Sequence, residues 1–227
     1  MRIKVNFGNN SKPISKPLNK EVNGFLNAVL GEKNKYHGSF SRYSISSMQG
    51  GVMDKDGTLN FPNGGFVFIS SDDYDFIANV LKGLSTKQEE LHVLDMKYKN
   101  MEISDFIVND KFDLVRSISP IFITIKRTPI TFKDSGFVDI LTKKSVEKLI
   151  KCGYDEKLAN TIKIKLFHPE NAATKVVEIG KAKNLANKVM LYVEGDKTMR
   201  KALYEIGLGK STGFGFGAVN INNKNFL

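Results

Sequence analysis

The order in which two hydrophobic periodicities follow one another constrains the fold of this 227-residue chain more than any other feature. Arg2–Phe7 alternates apolar and polar residues, which predicts a half-buried strand, and Asn19–Leu30 carries apolar residues at helical spacing. The pattern continues with strands, one helix and further strands, at residues 43–47 and 64–70 (strands), 72–83 (helix), 92–101 and 105–108 (strands).

The second half repeats this mixture of periods. A run of β-branched and aromatic residues predicts a strand at 121–125. Helical spacing follows at 145–152, 155–164 and 198–206, and strand patterns lie at 173–179, 189–193 and 218–221. This order predicts two α+β domains in tandem. We place them at residues 1–115 and 116–227, with the boundary between Asp110 and Ser119.

Charge is distributed unevenly between these halves. Residues 1–115 hold 14 Lys/Arg and 14 Asp/Glu, so all of the net charge of +10 lies in residues 116–227. Excess lysine can simply cover a surface, but the asymmetry favours a polyanionic partner, RNA or DNA. The first 20 residues lack the apolar segment of a signal peptide, and the single cysteine, Cys152, excludes a disulfide framework. We therefore expect no membrane association and a cytoplasmic location.

A glycine-rich segment lies between the last predicted helix and the last predicted strand. Five glycines fall within residues 207–217, namely Gly207, Gly209, Gly213, Gly215 and Gly217. Exposed backbone N–H groups in such a loop can hold phosphate oxygens, and Lys210, Ser211 and Thr212 add a charge and two hydroxyls. Phe214 and Phe216 alternate with glycines, so one can stack on a base while the other enters the core.

Three other interpretations of this loop compete with RNA binding. A dinucleotide-binding loop runs from strand to helix, the reverse of the order here. A P-loop needs a glycine five residues before Gly209, where Tyr204 stands, and needs a helix rather than a strand after it. A tight turn that binds nothing stays open, although five glycines exceed what a turn requires.

The spacing of this loop resembles a known signature. Gly207-Leu208-Gly209, five residues and Gly215-Phe216-Gly217 resemble the C-terminal motif of the RAMP superfamily of CRISPR-associated RNA-binding proteins. The whole chain is most similar to the superfamily's repeat-processing endoribonucleases (the sixth in the Cas numbering). That resemblance implies two tandem ferredoxin-like (RRM-like) domains, CRISPR repeat RNA as partner, and RNA cleavage without metal or cofactor that leaves a 2′,3′-cyclic phosphate and a 5′-hydroxyl.

The resemblance also implies a catalytic histidine after the first helix, where His37 stands. Histidine suits proton transfer because its unperturbed pKa is about 6.5. Tyr36 and Tyr43 are candidate orienting or proton-transfer groups, and Arg42 is a candidate for the cation that stabilises the transition state. His92 in a predicted strand and His168 in a loop are the weaker alternatives. The acidic run at 72–75 is expected to cap a helix rather than to bind a metal.

Further RNA contacts are expected from basic residues of the second half: Lys126, Arg127, Lys163 and Lys165. Two functions outside this assignment stay open, a non-catalytic RNA-binding subunit of a CRISPR effector complex and a nucleotide-binding enzyme. Other effector subunits are expected as possible partners, and the chain is expected to be a monomer or a homodimer.

Overall fold

The computed structural model describes residues 1–15, 18–31, 34–36, 40–179 and 182–222. The elements of the first half are β1 Arg2–Phe7, α1 Asn19–Leu30, β2 Tyr43–Ile45, β3 Val52–Met53, β4 Leu59–Asn60, β5 Phe66–Ser71, α2 Tyr74–Thr86, β6 His92–Val93 and β7 Met96–Ser104. The elements of the second half are β8 Phe112–Ser117, β9 Thr124–Ile125, β10 Thr128–Pro129, α3 Phe137–Lys151, α4 Glu156–Ala159, β11 Lys163–Phe167, β12 Ala173–Ile179, β13 Ala182–Lys188, β14 Met190–Glu194, α5 Lys197–Ile206 and β15 Val219–Ile221. Short 3₁₀ turns lie at Gln88–Glu90, Pro169–Asn171 and Thr212–Phe214.

The first half forms an antiparallel sheet with the strand order β2-β5-β1-β7-β6. Helices α1 and α2 alternate with its four main strands in the order β-α-β-β-α-β, which is the ferredoxin-like arrangement. The apolar faces of both helices pack into one core. It contains Val22 and Phe25 of α1, Ile77 and Val80 of α2, and Ile3 of β1.

The second half repeats this topology with different residues. Its sheet has the order β11-β14-β8-β15, and α3 and α5 occupy the positions of the two crossover helices. Leu141 and Leu149 of α3 pack with Leu203 of α5 against Val115 and Leu191 of the sheet. The expected fold class, α+β with ferredoxin-like units in tandem, is therefore confirmed.

Several predicted elements were wrong. The central strand of the second sheet is β8, which begins at Phe112, whereas the apolar run 121–125 makes one bridge, from Ile121 to Asn187, and the short strand β9. The predicted strand at 105–108 has no strand pairing, although Phe106 and Val108 are buried. An apolar run fits a buried loop as well as a strand, since burial alone fixes no hydrogen-bonding partner.

The segment 155–164, predicted as a helix, divides into the one-turn helix α4 and the start of β11. Strand β13 was not predicted, because its sequence is largely polar; it forms a two-stranded ribbon with β12 and, through Asn187, the bridge to Ile121. Strand β8 also starts before residue 115, where the sequence placed the domain boundary. The division of the chain into two domains there stays a proposal.

The two halves contact each other through specific hydrogen bonds. Arg2 of β1 is buried and donates to Asn220 Oδ1 at 3.1 Å and to the carbonyl of Val219 in β15. The backbone N–H of Ser47 donates to Ser119 Oγ at 2.8 Å, and Ser44 Oγ to the carbonyl of Glu205 at 3.2 Å. These bonds hold the first half against α5, β15 and the segment that follows β8. In the described part of the chain no helix is long and apolar enough to cross a membrane.

Candidate functional site

The glycine-rich loop fills the space between the two halves. Most of its residues are buried: Gly207, Leu208, Thr212, Gly213, Gly215, Phe216 and Gly217. Gly209 is half-buried, and Lys210, Ser211 and Phe214 are exposed. The loop is therefore a structural joint with a short exposed tip, Lys210 and Ser211, and only that tip and Phe214 are available to a ligand.

The close approach of the first half explains two of the glycines. A Cβ on Gly213 would lie 2.8 Å from both Ser41 Oγ and Tyr43 OH, and a Cβ on Gly215 would overlap the side-chain amide of Asn19. Gly215 also has a φ of +81°, a conformation that other residues rarely adopt. These two glycines are required by packing against α1 and β2, independently of any ligand.

Two asparagines of α1 satisfy the carbonyl groups of the loop. Asn19 Nδ2 donates to the carbonyl of Phe214 at 3.1 Å, and Asn23 Nδ2 donates to that of Gly213 at 2.8 Å. Both side chains lie one helical turn apart on the same face of α1. Helix α1 thus fixes the part of the loop that follows its exposed tip.

The two phenylalanines of the loop differ as expected from their alternation with glycine. Phe216 is 1% exposed and its ring centroid lies 5.3 Å from that of Phe122. Phe214 is 45% exposed. Phe216 therefore belongs to the packing, and Phe214 is the aromatic ring available for stacking.

A cleft of about 510 Å³ opens beside the loop tip. It is lined by Phe40 and Ser41 from the first half, by Phe122, by Lys144, Glu147, Lys148 and Lys151 of α3, and by loop residues 209–212. Lys144 is paired with Glu147 at 2.7 Å, whereas Lys151 is exposed, with its Nζ 4.3 Å from the centroid of the Phe40 ring. The cleft therefore combines exposed ammonium groups with an aromatic ring, which suits a phosphate next to a base.

The candidate histidine, His37, lies outside the described residues, as do Gly38 and Ser39. Its neighbour Tyr36 packs its ring edge-on against Phe76, at 5.0 Å between centroids, beside the core of the first half. Tyr43 stacks on the same phenylalanine at 4.4 Å and is 8% exposed. Burial raises the pKa of the Tyr43 phenol, and a hydrogen bond with Ser41 opposes that rise.

Arg42 lies beside the cleft but is held by an acidic partner. Its Nε and Nη2 donate to the two carboxylate oxygens of Asp72 at 2.9 and 3.0 Å, and Tyr154 OH donates to Asp72 Oδ2 at 2.7 Å. The hydrogen bond to Asp72 raises the pKa of Arg42. Because the pair is bidentate, the Arg42 charge is largely committed to Asp72. The adjacent Asp73 is the N-cap of α2, which confirms the capping role expected for this acidic run.

The other predicted RNA-binding residues lie on two different surfaces. Lys126 and Arg127, expected at the end of a strand, form the two-residue turn between β9 and β10, with φ values of 45° and 73°. This hairpin adjoins the loop, because Lys210 Nζ donates to Thr124 Oγ1 at 2.8 Å. Lys163 and Lys165 are exposed on the edge strand β11, away from the cleft lining, and Lys165 lies 3.8 Å from Glu194.

Sequence reasoning missed the contribution of α3. Lys144, Lys148 and Lys151 are spaced by four and three residues, so they share one helical face, and that face forms a wall of the cleft. The spacing is visible in the sequence and could have been used. Among the described residues no group of three or more His, Cys, Asp or Glu side chains is arranged to hold a metal ion.

Two ferredoxin-like units meet at a glycine-rich loop, with a basic cleft beside it. This arrangement is typical of proteins that bind RNA. A family described as "CRISPR associated protein Cas6, C-terminal" matches residues 103–221, which is more than half of the chain. The chain belongs to this family.

Individual relatives agree with this assignment. "CRISPR-associated endoribonuclease Cas6 1" of Methanocaldococcus jannaschii is 25% identical over 197 residues, which cover 82% of this chain and 75% of the relative. A structure described as "An RAMP protein binding different RNA substrates" superposes with a TM-score of 0.83 at 18% identity over 98% of this chain and all of that one. A Cas6-related protein from Pyrococcus furiosus gives a TM-score of 0.82 at 16% identity, with 99% of both chains covered. The predicted resemblance to the CRISPR-associated proteins that are sixth in the Cas numbering is thereby confirmed.

Proposed function

We propose that this protein is an endoribonuclease that cuts the repeats of precursor CRISPR RNA at the cleft beside the glycine-rich loop. Family membership and the endoribonuclease relative support RNA cleavage as the activity. The observation that carries the proposal is the position of the cleft. Its lining includes Phe40 and Ser41, which come soon after His37 in the chain, and the exposed tip of the loop.

Within this proposal, His37 transfers the protons. His37 stands three positions before Phe40 in the chain, a span of at most about 11 Å between Cα atoms, which is short enough for its side chain to reach the cleft. One proton is removed from the RNA 2′-hydroxyl, whose oxygen attacks the adjacent phosphorus, and another is given to the departing 5′-oxygen. The bond to that oxygen breaks, which leaves a 2′,3′-cyclic phosphate and a 5′-hydroxyl. The reaction as written requires no metal.

The remaining cleft residues bind and stabilise charge. The side chains of Lys151 and Lys210 both line the cleft, and their ammonium groups are suited to the extra negative charge on the phosphate in the transition state. Ser211 and the backbone of Gly209 add donors at the same tip. Arg42 and Tyr43, with their charge and hydroxyl engaged by Asp72 and Ser41, fit a role in holding Ser41 and the start of β2 better than direct contact with RNA.

The test is cleavage of the repeat RNA from the CRISPR array of the same genome, in EDTA. We expect cleavage by the unmodified protein and a loss of about 10²–10⁴-fold in His37→Ala, the range typical of general acid–base groups. His92→Ala is the matched control, since His92 is exposed on β6 in the same half. RNA that binds but is not cut would favour the non-catalytic subunit, and cleavage that survives His37→Ala would exclude the assigned mechanism.

A further inference from the structure

One buried lysine connects the loop to both halves. Lys148 of α3 is 9% exposed, and its Nζ donates to the carbonyl of Ile206 at 2.7 Å, to that of Gly207 at 3.0 Å and to Thr212 Oγ1 at 3.0 Å. An ammonium group has three N–H donors, and all three are used here. The carbonyl groups of Ile206 and Gly207 lie at the C-terminal end of α5, where no backbone N–H of the helix is available to them. Lys148 provides the missing hydrogen-bond donors.

The contact with Thr212 extends beyond the second half. Thr212 is 1% exposed, and its Oγ1 donates its own proton to the carbonyl of Tyr43 in β2 at 2.8 Å. A continuous series of hydrogen bonds therefore runs from α3 through Lys148 and Thr212 to the strand that follows the 37–41 segment. Lys148 donates hydrogen bonds to Gly207 and Thr212, and the exposed tip, Lys210 and Ser211, lies between these two residues in the chain.

We propose that Lys148 is a positioning residue, which clamps both ends of the loop tip through Ile206, Gly207 and Thr212 and so sets where Lys210 and Ser211 meet the RNA. Its effect on cleavage rests on the proposed function, whereas its effect on the loop does not. Lys148 is one of the residues that line the cleft, but its three protons are donated to the protein, so it acts through the loop. Without the clamp, the tip is held mainly by the bonds from Lys210 to Phe122 O and Thr124 Oγ1.

Two substitutions break the clamp from opposite ends. Lys148→Met keeps an unbranched side chain only one atom shorter and removes every donor. Thr212→Val keeps the shape of the side chain and removes the hydroxyl that accepts from Lys148 and donates to Tyr43. Lys143→Met is the control for Lys148→Met, because Lys143 is an exposed lysine on the same helix outside the cleft.

The first readout is amide hydrogen exchange in residues 207–217, compared with that in β8. We expect exchange at least about tenfold faster in the loop of Lys148→Met and of Thr212→Val, with β8 and Lys143→Met unchanged. Uniform acceleration over the whole protein would mean a general loss of stability and would overturn the proposal, as would a loop that exchanges at the original rate. Should Lys148→Met fail to fold, Thr212→Val alone decides the outcome by the same criterion.

The second readout is the cleavage rate at saturating repeat RNA, measured below pH 7. Misplacement of the tip is expected to slow cleavage by about ten- to a hundredfold in either variant. The loss in the double variant should be smaller than the product of the two single losses, since both changes break the same bond between Lys148 and Thr212. Additive losses, or a cleavage rate that does not follow a loosened loop, would contradict the positioning role. If the unmodified protein does not cut RNA, the proposed function fails, and hydrogen exchange still tests the clamp.

Discussion

Gly213→Ala tests whether the loop is a joint between the halves. Gly213 has an ordinary backbone conformation, so the added methyl group is not opposed by φ. It is opposed by Ser41 Oγ and Tyr43 OH, each 2.8 Å from the new Cβ, and by Tyr43 Cζ at 3.0 Å. These atoms belong to the first half of the chain, so the strain arises where the two halves meet.

The size of the effect follows from overpacking. Forcing a methyl group into a filled core typically costs about 1–3 kcal/mol, and Tyr43 cannot move freely because it stacks on Phe76 at 4.4 Å. We expect Gly213→Ala to lower the free energy of unfolding by that amount. For a protein of this size, the melting temperature should fall by about 2–4 °C for each kcal/mol.

Chemical denaturation of matched variants gives the measurement. Gly24→Ala is the control, because Gly24 lies inside α1 with nothing within 4 Å of an added Cβ, and the change should stabilise the helix by about 0.5–1 kcal/mol. Adding Tyr43→Phe removes one of the opposing oxygens, so part of the loss in Gly213→Ala should be recovered. A stability equal to or above that of the unmodified protein, or strictly additive changes in the double variant, would refute the account of the joint.

Two further predictions concern the loop and α3. Phe214→Ala should weaken RNA binding by about 1–3 kcal/mol, as loss of a stacking ring does, and leave the free energy of unfolding nearly unchanged. Phe216→Ala should instead destabilise the fold by about 3–5 kcal/mol. RNA titration and denaturation of both variants separate these roles, and equal effects on binding would contradict them. Burial lowers the pKa of Lys148 to about 7 from 10.5, against a smaller opposing effect of Cys152 and Asp72. Between pH 7 and 10.5 the Lys148 side chain of the unfolded chain holds a proton that the folded protein lacks. The free energy of unfolding should therefore rise with pH by up to about 1.4 kcal/mol per pH unit. Below pH 7 the cost of burying the charge is fully present. The difference in stability between the unmodified protein and Lys148→Met should therefore change with pH in this window, and a constant difference would show that Lys148 keeps an ordinary pKa.

Local patterns predicted the helices and the long strands well where amphipathic faces decide. Asn19–Leu30 was predicted as a helix and forms one, since its apolar spacing leaves a single face for the core. The apolar run 121–125 was wrongly predicted as the main strand of its region. That strand is β8, an inner strand of the sheet, and its charged residues Asp113 and Arg116 obscure the pattern of a buried strand. Asp113 is fully buried there and paired with Arg200, a partner 87 residues away that no local window contains.

By itself, the sequence determined the class of fold and the identity of the loop, because periodicity and glycine spacing are properties of neighbouring residues. Only the tertiary structure decided what each loop residue does. Gly213 and Gly215 serve the contact with α1 and β2, Phe216 serves the core, and Lys210, Ser211 and Phe214 are left for the ligand. The clamp by Lys148 was equally hidden, since Lys148 and Thr212 lie 64 positions apart and are brought within 3.0 Å only by the packing of α3 beside α5. Burial and hydrogen-bonding partners depend on residues distant in the chain, and periodicity carries no information about them.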